Sequence, residues 1–89
     1  KEYMIPNGFS PNGDAINDLF VVPGLGYFEN ISITVFNRWG SLVYKSDNYQ
    51  NDWNGNNMNN EELVDDTYYY IIDIQCYKKF QNFVVIKRK

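Results

Sequence analysis

Apolar and polar residues alternate along several short runs of this chain, and this alternation predicts β-strands. The run 31–36 reads Ile-Ser-Ile-Thr-Val-Phe, and the run 67–75 reads Thr-Tyr-Tyr-Tyr-Ile-Ile-Asp-Ile-Gln. Side chains two residues apart share one face of a strand, so each run has a core face and an outward face. Phe36 and Tyr69 fall on the outward faces. The residues predicted to be buried are Ile33, Val35, Tyr70, Ile72 and Val84.

Turn residues separate these runs from further predicted strands over 3–5, 19–22, 42–45 and 83–87. Asn37 to Gly40 is predicted to form a tight hairpin loop, with Gly40 in the left-handed position. Lys78-Lys79 fits a second turn. The long polar stretch 47–62 is predicted to connect two sheets, with Trp53 anchoring it to the core.

The predicted fold is all-β, an immunoglobulin-like antiparallel β-sandwich of about six to seven short strands. A small open barrel is the alternative. Thirteen asparagines, eight tyrosines and six phenylalanines are typical of short strands joined by many turns. With 89 residues, the chain is predicted to be a single domain over 1–89. Its opening, Lys1-Glu2-Tyr3, suits a fragment of a longer protein.

Charge and hydropathy limit the possible partners. The net charge is −3, and nucleic-acid-binding domains are normally basic, so a nucleic-acid partner is not expected. No run approaches the roughly 18 apolar residues of a membrane helix, so membrane insertion is not expected either. The late basic residues are interpreted as a solvated edge and tail, in which charges contribute little to stability. Cys76 is the only cysteine, so no internal disulfide can form.

Residues that carry enzymatic chemistry are scarce. The chain has no histidine, which removes the commonest general base and most zinc sites. The acidic pairs Glu61-Glu62 and Asp65-Asp66 fall in a polar stretch before a strand, where solvated charges are ordinary. No catalytic residue is assigned, and an enzyme is not expected.

One polar run partly matches a calcium loop. Ser10, Asn12, Asp14, Ile16 and Asp18 fall at positions 1, 3, 5, 7 and 9 of that pattern, where position 7 offers its backbone carbonyl. The first acid, the turn glycine and the bidentate glutamate are missing, so any site formed by Asn12, Asp14 and Asp18 would be weak. The alternative is an Asx-rich turn that satisfies its own backbone. Calcium is therefore an optional cofactor, and none is required.

Arg38 and Trp39 at the hairpin tip have two interpretations. The tryptophan could be an exposed docking anchor, because Trp and Arg are favoured in interface hot spots. It could also fold over the end of the sandwich with the guanidinium stacked on its ring. Tyr69 is better placed for an exposed aromatic patch. The candidate partner-contact residues are Arg38, Trp39, Tyr69, Lys87 and Arg88.

Five motifs occur in an order and spacing that resemble the gliding-motility-associated C-terminal domain. This family comprises the type B C-terminal sorting domains of cargo proteins of the type IX secretion system of Bacteroidota. The similarity runs through almost the whole chain. Its motifs are Ile5-Pro6-Asn7-Gly8-Phe9-Ser10-Pro11-Asn12-Gly13-Asp14, Ile33-Thr34-Val35-Phe36-Asn37-Arg38-Trp39-Gly40, Asn51-Asp52-Trp53-Asn54-Gly55, Thr67-Tyr68-Tyr69-Tyr70 and Val84-Val85-Ile86-Lys87-Arg88.

The resemblance implies a C-terminal sorting signal attached to upstream cargo domains. Its partners would be the outer-membrane translocon and associated outer-membrane proteins. Cargo would be exported through the periplasm to the cell surface or the extracellular space. The alternative is an immunoglobulin-like adhesion or carbohydrate-binding module of a surface protein that works through Trp39, Trp53 and the tyrosines. A sorting signal should end its parent protein, and Lys87-Arg88-Lys89 is interpreted as such an end.

Overall fold

The described part of the chain is built from strands and loops. A computed structural model describes residues 5–13, 18–22, 31–74 and 78–88. The predictions for Asp14, Cys76 and Lys89, and most of those for 3–5, lie outside these ranges. No helix occurs within them, so none there is long and apolar enough to cross a membrane. The all-β prediction is confirmed.

Within the described ranges, five strands form one mixed sheet in the order β1-β5-β4-β2-β3. β2, β3, β4 and β5 pair as antiparallel neighbours, and β1 pairs with β5 in parallel. The expected antiparallel pairing therefore holds for four strands, and β1 departs from it. The strands are β1 (Gly8–Phe9), β2 (Ile31–Phe36), β3 (Leu42–Ser46), β4 (Asp66–Ile74) and β5 (Lys78–Ile86).

The core lies on one face of this sheet, as the alternation predicts. Ile33 in β2 pairs with Ile72 in β4, and Val35 pairs with Tyr70 two residues along, so their side chains share a face. The five residues predicted to be buried are 0–3% exposed, which confirms the assignment of faces. Tyr68 and Ile74 lie on the same face and are also buried.

Loops cover the core face where a second sheet was expected. We call the segments 18–22 and 47–65 the loop layer. The predicted strand 19–22 is reduced to an isolated bridge between Phe20 and Trp53. Asn57 shows why loops form here: its Oδ1 accepts hydrogen bonds from the backbone N–H of Asn59 and Glu61, each 2.9 Å long. Such side-chain bonds compete with a strand ladder.

Aromatic rings fasten the loop layer to the sheet. Trp53 is 1% exposed, so its predicted anchoring role is confirmed. Its ring stacks on Tyr44 with centroids 5.4 Å apart and lies 5.1 Å from the ring of Phe9. The hydroxyl of Tyr49 donates to the carbonyl of Phe20 and accepts from the N–H of Trp53, so it ties both loop segments together.

Two turn predictions have different outcomes. Gly40 has a φ of 83°, and the β2–β3 register shifts between Val35 and Phe36, so the bulged hairpin is confirmed. The turn predicted at Lys78-Lys79 is wrong, because both residues belong to β5. Lys79 pairs with Asp73 across the strands, and opposite charges at such a position favour pairing.

Candidate recognition surface

The hairpin between β2 and β3 presents Arg38 and Trp39 to solvent. Asn37 fixes this tip, because its Oδ1 accepts hydrogen bonds from the backbone N–H of Trp39 (3.0 Å) and Ser41 (2.9 Å). The guanidinium of Arg38 lies 5.6 Å from the Trp39 ring centroid. The stacked pair is therefore present. The expectation that the ring covers the end of the fold is wrong, since Trp39 is 77% exposed.

Tyr69 belongs to a row of apolar side chains that crosses four strands. Phe36 pairs with Tyr69 on one side and with Leu42 on the other, and Tyr69 pairs with Phe83. All four therefore lie on the sheet face turned away from the loop layer, which we call the outer face. Leu42, Tyr69 and Phe83 are 51%, 49% and 40% exposed. This row, Leu42–Phe36–Tyr69–Phe83, is named the outer-face patch.

A shallow groove of about 340 Å³ runs beside this patch. Phe36, Tyr69 and Phe83 line one side, and Ile71 and Gln81 line the other. The groove is open and largely apolar, so it suits the side chains of a partner better than an enclosed small molecule.

Arg88 is held inside the fold rather than free at its surface. Its Nη1 donates to the carbonyl of Leu63 (2.5 Å) and to Asp65 Oδ1 (2.9 Å), and its Nη2 donates to the carbonyl of Gly55 (3.3 Å). The Arg88 side chain is 19% exposed. The interpretation of Arg88 as part of a solvated tail is wrong, because its guanidinium contacts the loop layer. We call these contacts with Gly55, Leu63 and Asp65 the Arg88 clamp.

The contacts of Arg88 also lower the pKa of the Asp65 carboxyl. The backbone N–H of Arg88, which donates to Asp65 Oδ2 at 3.1 Å, is the main cause that lowers the pKa of the carboxyl. The Arg88 guanidinium and the Lys87 charge lower this pKa further. Gly55 leaves room for the clamp, since it has a φ of +86° and a Cβ there would lie 3.2 Å from Arg88 Nη2. Lys87 itself is exposed.

The candidate calcium residues are engaged in hydrogen bonds. Asp18 Oδ1 accepts from the backbone N–H of Asn12 (3.1 Å) and Gly13 (3.0 Å), and Asn12 Nδ2 donates to the carbonyl of Arg88 (3.1 Å). The two bonds to Asp18 satisfy backbone N–H groups of the same loop, as the alternative interpretation expects, whereas the third bond joins the loop to Arg88. Asp14 lies outside the described residues. Within the described ranges, no three residues among His, Cys, Asp and Glu are grouped so as to hold a metal.

Several candidate contact residues meet at one end of the sheet. β2 ends at Phe36 opposite Tyr69, and β5 ends at Ile86 opposite Asp66. Arg38 extends this end and lies 3.4 Å from Asp66, measured from Nε to Oδ2. The hairpin tip, the start of β4 and the end of β5 therefore lie side by side.

The sequence of the chain matches a known protein family. The family described as the CHU_C type IX secretion signal domain matches residues 3–86, which is nearly the whole chain. The chain belongs to this family. A search of curated proteins found no match. The predicted family is confirmed, and with it the assignment of the chain to secretion signal domains.

The motifs of the signal domain have physical roles in its fold. In the motif 51–55, Trp53 fills the core, and Asn51, at a φ of 59°, accepts a 2.8 Å hydrogen bond from the N–H of Val22. The opening motif places β1 beside the end of β5. The closing motif buries Val84 and Ile86 and brings Arg88 to Gly55. These motifs therefore build one end of the domain.

Sequence reasoning missed two members of the outer-face patch of the signal domain. Leu42 and Phe83 were assigned to strands, but no role was given to their exposed side chains. Alternation alone marks them as outward-facing. Only the register, which sets Leu42 opposite Phe36 and Phe83 opposite Tyr69, shows that they form one continuous surface.

Proposed function

We propose that this domain is the sorting signal of a larger exported protein. In this proposal, the outer-membrane translocon of the type IX system and its associated proteins bind the folded domain and deliver the attached cargo to the cell surface or beyond. The observation that carries the proposal is the family match over residues 3–86, a range that includes all five strands that the structure describes.

The proposed mechanism is recognition without chemistry. The domain has no histidine, and its described acidic residues form no metal-holding group, so no catalytic role is assigned to any side chain. Binding would instead use groups that the fold holds in place. Arg38, Trp39, Tyr69 and Lys87 are the proposed contacts, and their exposure supports this assignment. Arg88 would act indirectly, by fixing the end of β5 against the loop layer.

The adhesion alternative loses one of its proposed contacts. It relied on Trp39, Trp53 and the tyrosines as ligand-binding aromatics. Trp53 is 1% exposed and packs against Phe9, Phe20 and Tyr44, so its ring is not available to a ligand.

A reporter fusion tests the proposal. The domain would be fused to the C-terminus of a periplasmic reporter and expressed in a host with the type IX apparatus and the matching partner proteins. The reporter should appear outside the cell, and it should stay in the periplasm of an otherwise identical strain without the translocon. A reporter that stays in the periplasm of both strains would contradict the sorting role.

A further inference from the structure

The apolar side chains of the outer-face patch are neighbours, so the patch differs from a set of isolated exposed residues. Leu42, Phe36, Tyr69 and Phe83 follow one another across β3, β2, β4 and β5. Isolated apolar residues are normal on a protein surface, whereas a continuous apolar patch marks an interaction site. Two of the four are phenylalanines, which have no hydrogen-bonding group. Such a surface fits apolar protein side chains better than a sugar, which needs polar partners beside the ring.

The charges around the patch indicate what kind of protein would bind. Lys45 pairs with Thr34, which lies two residues before Phe36, so Lys45 shares the outer face. Lys79 shares it as well, because it lies four residues before Phe83 in β5. Among the strand residues described, Asp73 is the acidic residue on this face.

Most of the acidic residues that the structure describes belong to the loop layer, which covers the other face of the sheet. The loop layer contains five acidic residues outside the Arg88 clamp: Asp18, Asp47, Asp52, Glu61 and Glu62. The chain as a whole has a net charge of −3, so a face with two lysines and one aspartate departs from the average. An acidic partner would be attracted to the outer face and repelled by the loop layer, which would fix its orientation.

We propose that the outer-face patch is the docking site for an acidic protein surface of the export machinery that presents apolar side chains. This inference rests on the sorting function proposed above. Aromatic side chains in the centre and basic residues at the rim match the usual layout of a specific interface. Burial of the patch would supply affinity, while Lys45 and Lys79 would guide the encounter.

The proposed binding role of the apolar side chains is tested with the double variant Tyr69→Thr/Phe83→Thr in the reporter fusion. Threonine keeps strand propensity while it removes both rings. The control is Val21→Thr/Val64→Thr, which changes two exposed apolar residues of the loop layer (47% and 72% exposed). The export rate of the patch variant should fall about tenfold or more, since loss of hot-spot side chains commonly costs that much affinity. The control should be exported like the unmodified fusion.

The proposed guiding role of the two lysines is tested with the double variant Lys45→Gln/Lys79→Gln. The control is Asn54→Asp/Asn59→Asp, which changes net charge by the same amount at exposed positions of the loop layer. The lysine variant should be exported roughly threefold more slowly or worse, because it removes the guiding charges. The asparagine variant should be exported at the unmodified rate. Thermal melts of the purified domains show which variants keep the fold.

The outcomes separate this inference from the sorting function. If the unmodified fusion is exported and a folded patch variant is exported equally well, the docking site is wrong and the sorting function stands. If Tyr69→Thr/Phe83→Thr does not fold, normal export of Lys45→Gln/Lys79→Gln overturns the proposal instead. If the unmodified fusion is not exported, both claims fall. A purified domain that sediments as a dimer, and becomes a monomer with Tyr69→Thr/Phe83→Thr, would show that a second copy occupies the patch.

Discussion

The guanidinium of Arg88 lies 2.9 Å from the carboxylate of Asp65 and joins the end of the last strand to the loop that precedes β4. The same side chain donates to the carbonyls of Leu63 and Gly55. One residue thus connects the end of β5 to three residues of the loop layer. The proposed contacts Arg38 and Lys87 lie at this end of the sheet, so their arrangement depends on the clamp.

Arg88→Ala should lower the free energy of unfolding by about 1–3 kcal/mol, because two partly buried carbonyls lose their donor. Urea unfolding of the purified domain measures the change. Arg88→Lys should restore little of it, since one ammonium cannot reproduce the planar fork of the guanidinium. The control is Lys87→Ala, which removes an exposed neighbouring charge and should shift stability by no more than about 0.5 kcal/mol. Equal effects of Arg88→Ala and Lys87→Ala would rule out the clamp.

Ile72 and Ile71 are adjacent isoleucines on opposite faces of β4, and they form a matched pair for testing the core. Ile72 is fully buried, whereas Ile71 lies on the half-buried outer face. Ile72→Ala should cost about 2–5 kcal/mol, which is a large share of the stability of a small domain. Ile71→Ala should cost clearly less. The reverse order in thermal or urea unfolding would mean that the faces are assigned wrongly.

Buried tyrosines should make the domain sensitive to alkali. Burial is the main cause that raises the pKa of Tyr44, Tyr49, Tyr68 and Tyr70 above the ordinary value. Above a pH of about 10, the unfolded chain loses these protons while the folded chain keeps them, so the free energy of unfolding falls as pH rises.

Urea titrations between pH 8 and 11 measure this fall. Tyr49→Phe should make the decline shallower, because it removes one of the shifted hydroxyls. The same variant should lower stability at neutral pH, since the Phe20 carbonyl and the Trp53 N–H lose their shared partner. A Tyr49→Phe domain with the same alkaline slope as the unmodified domain would contradict this explanation.

Calcium is tested by melting the domain with and without a chelator. We expect superimposable curves, because Asp18 Oδ1 already accepts two backbone hydrogen bonds. A lower melting temperature in chelator, restored by millimolar calcium, would instead establish a site at Asn12, Asp14 and Asp18, since a ligand that binds only the folded state stabilises it. Asp18→Asn would then abolish the difference.

The buried face of the sheet could be predicted from the sequence, because the alternation of apolar and polar residues depends only on neighbouring positions in a strand. A side chain in 31–36 or 67–74 faces the core or solvent according to its position in the strand alone. Ile33, Val35, Tyr70 and Ile72 were therefore assigned correctly. The bulged hairpin was predictable for a similar reason, since Gly40 follows a tight polar turn.

The arrangement of the loop layer and of the recognition surface could not be predicted in the same way. Leu19–Val22 has the composition of a strand, yet Val22 donates its N–H to Asn51, and this contact spans 29 residues. Arg88 had the sequence signature of a solvated tail, but its partners are Gly55, Leu63 and Asp65. Such contacts depend on tertiary packing, which no local pattern encodes.

The central claim is that the folded sheet carries the sorting signal, and removal of the last part of β5 tests it most directly. Deleting 83–89 from the reporter fusion leaves four of the five motifs intact but removes Val84 and Ile86 from the core and exposes the edge of β4. We expect the complete domain to send the reporter outside the cell, while equal amounts of the truncated fusion stay in the periplasm. Export of the truncated fusion at the full rate would contradict the account.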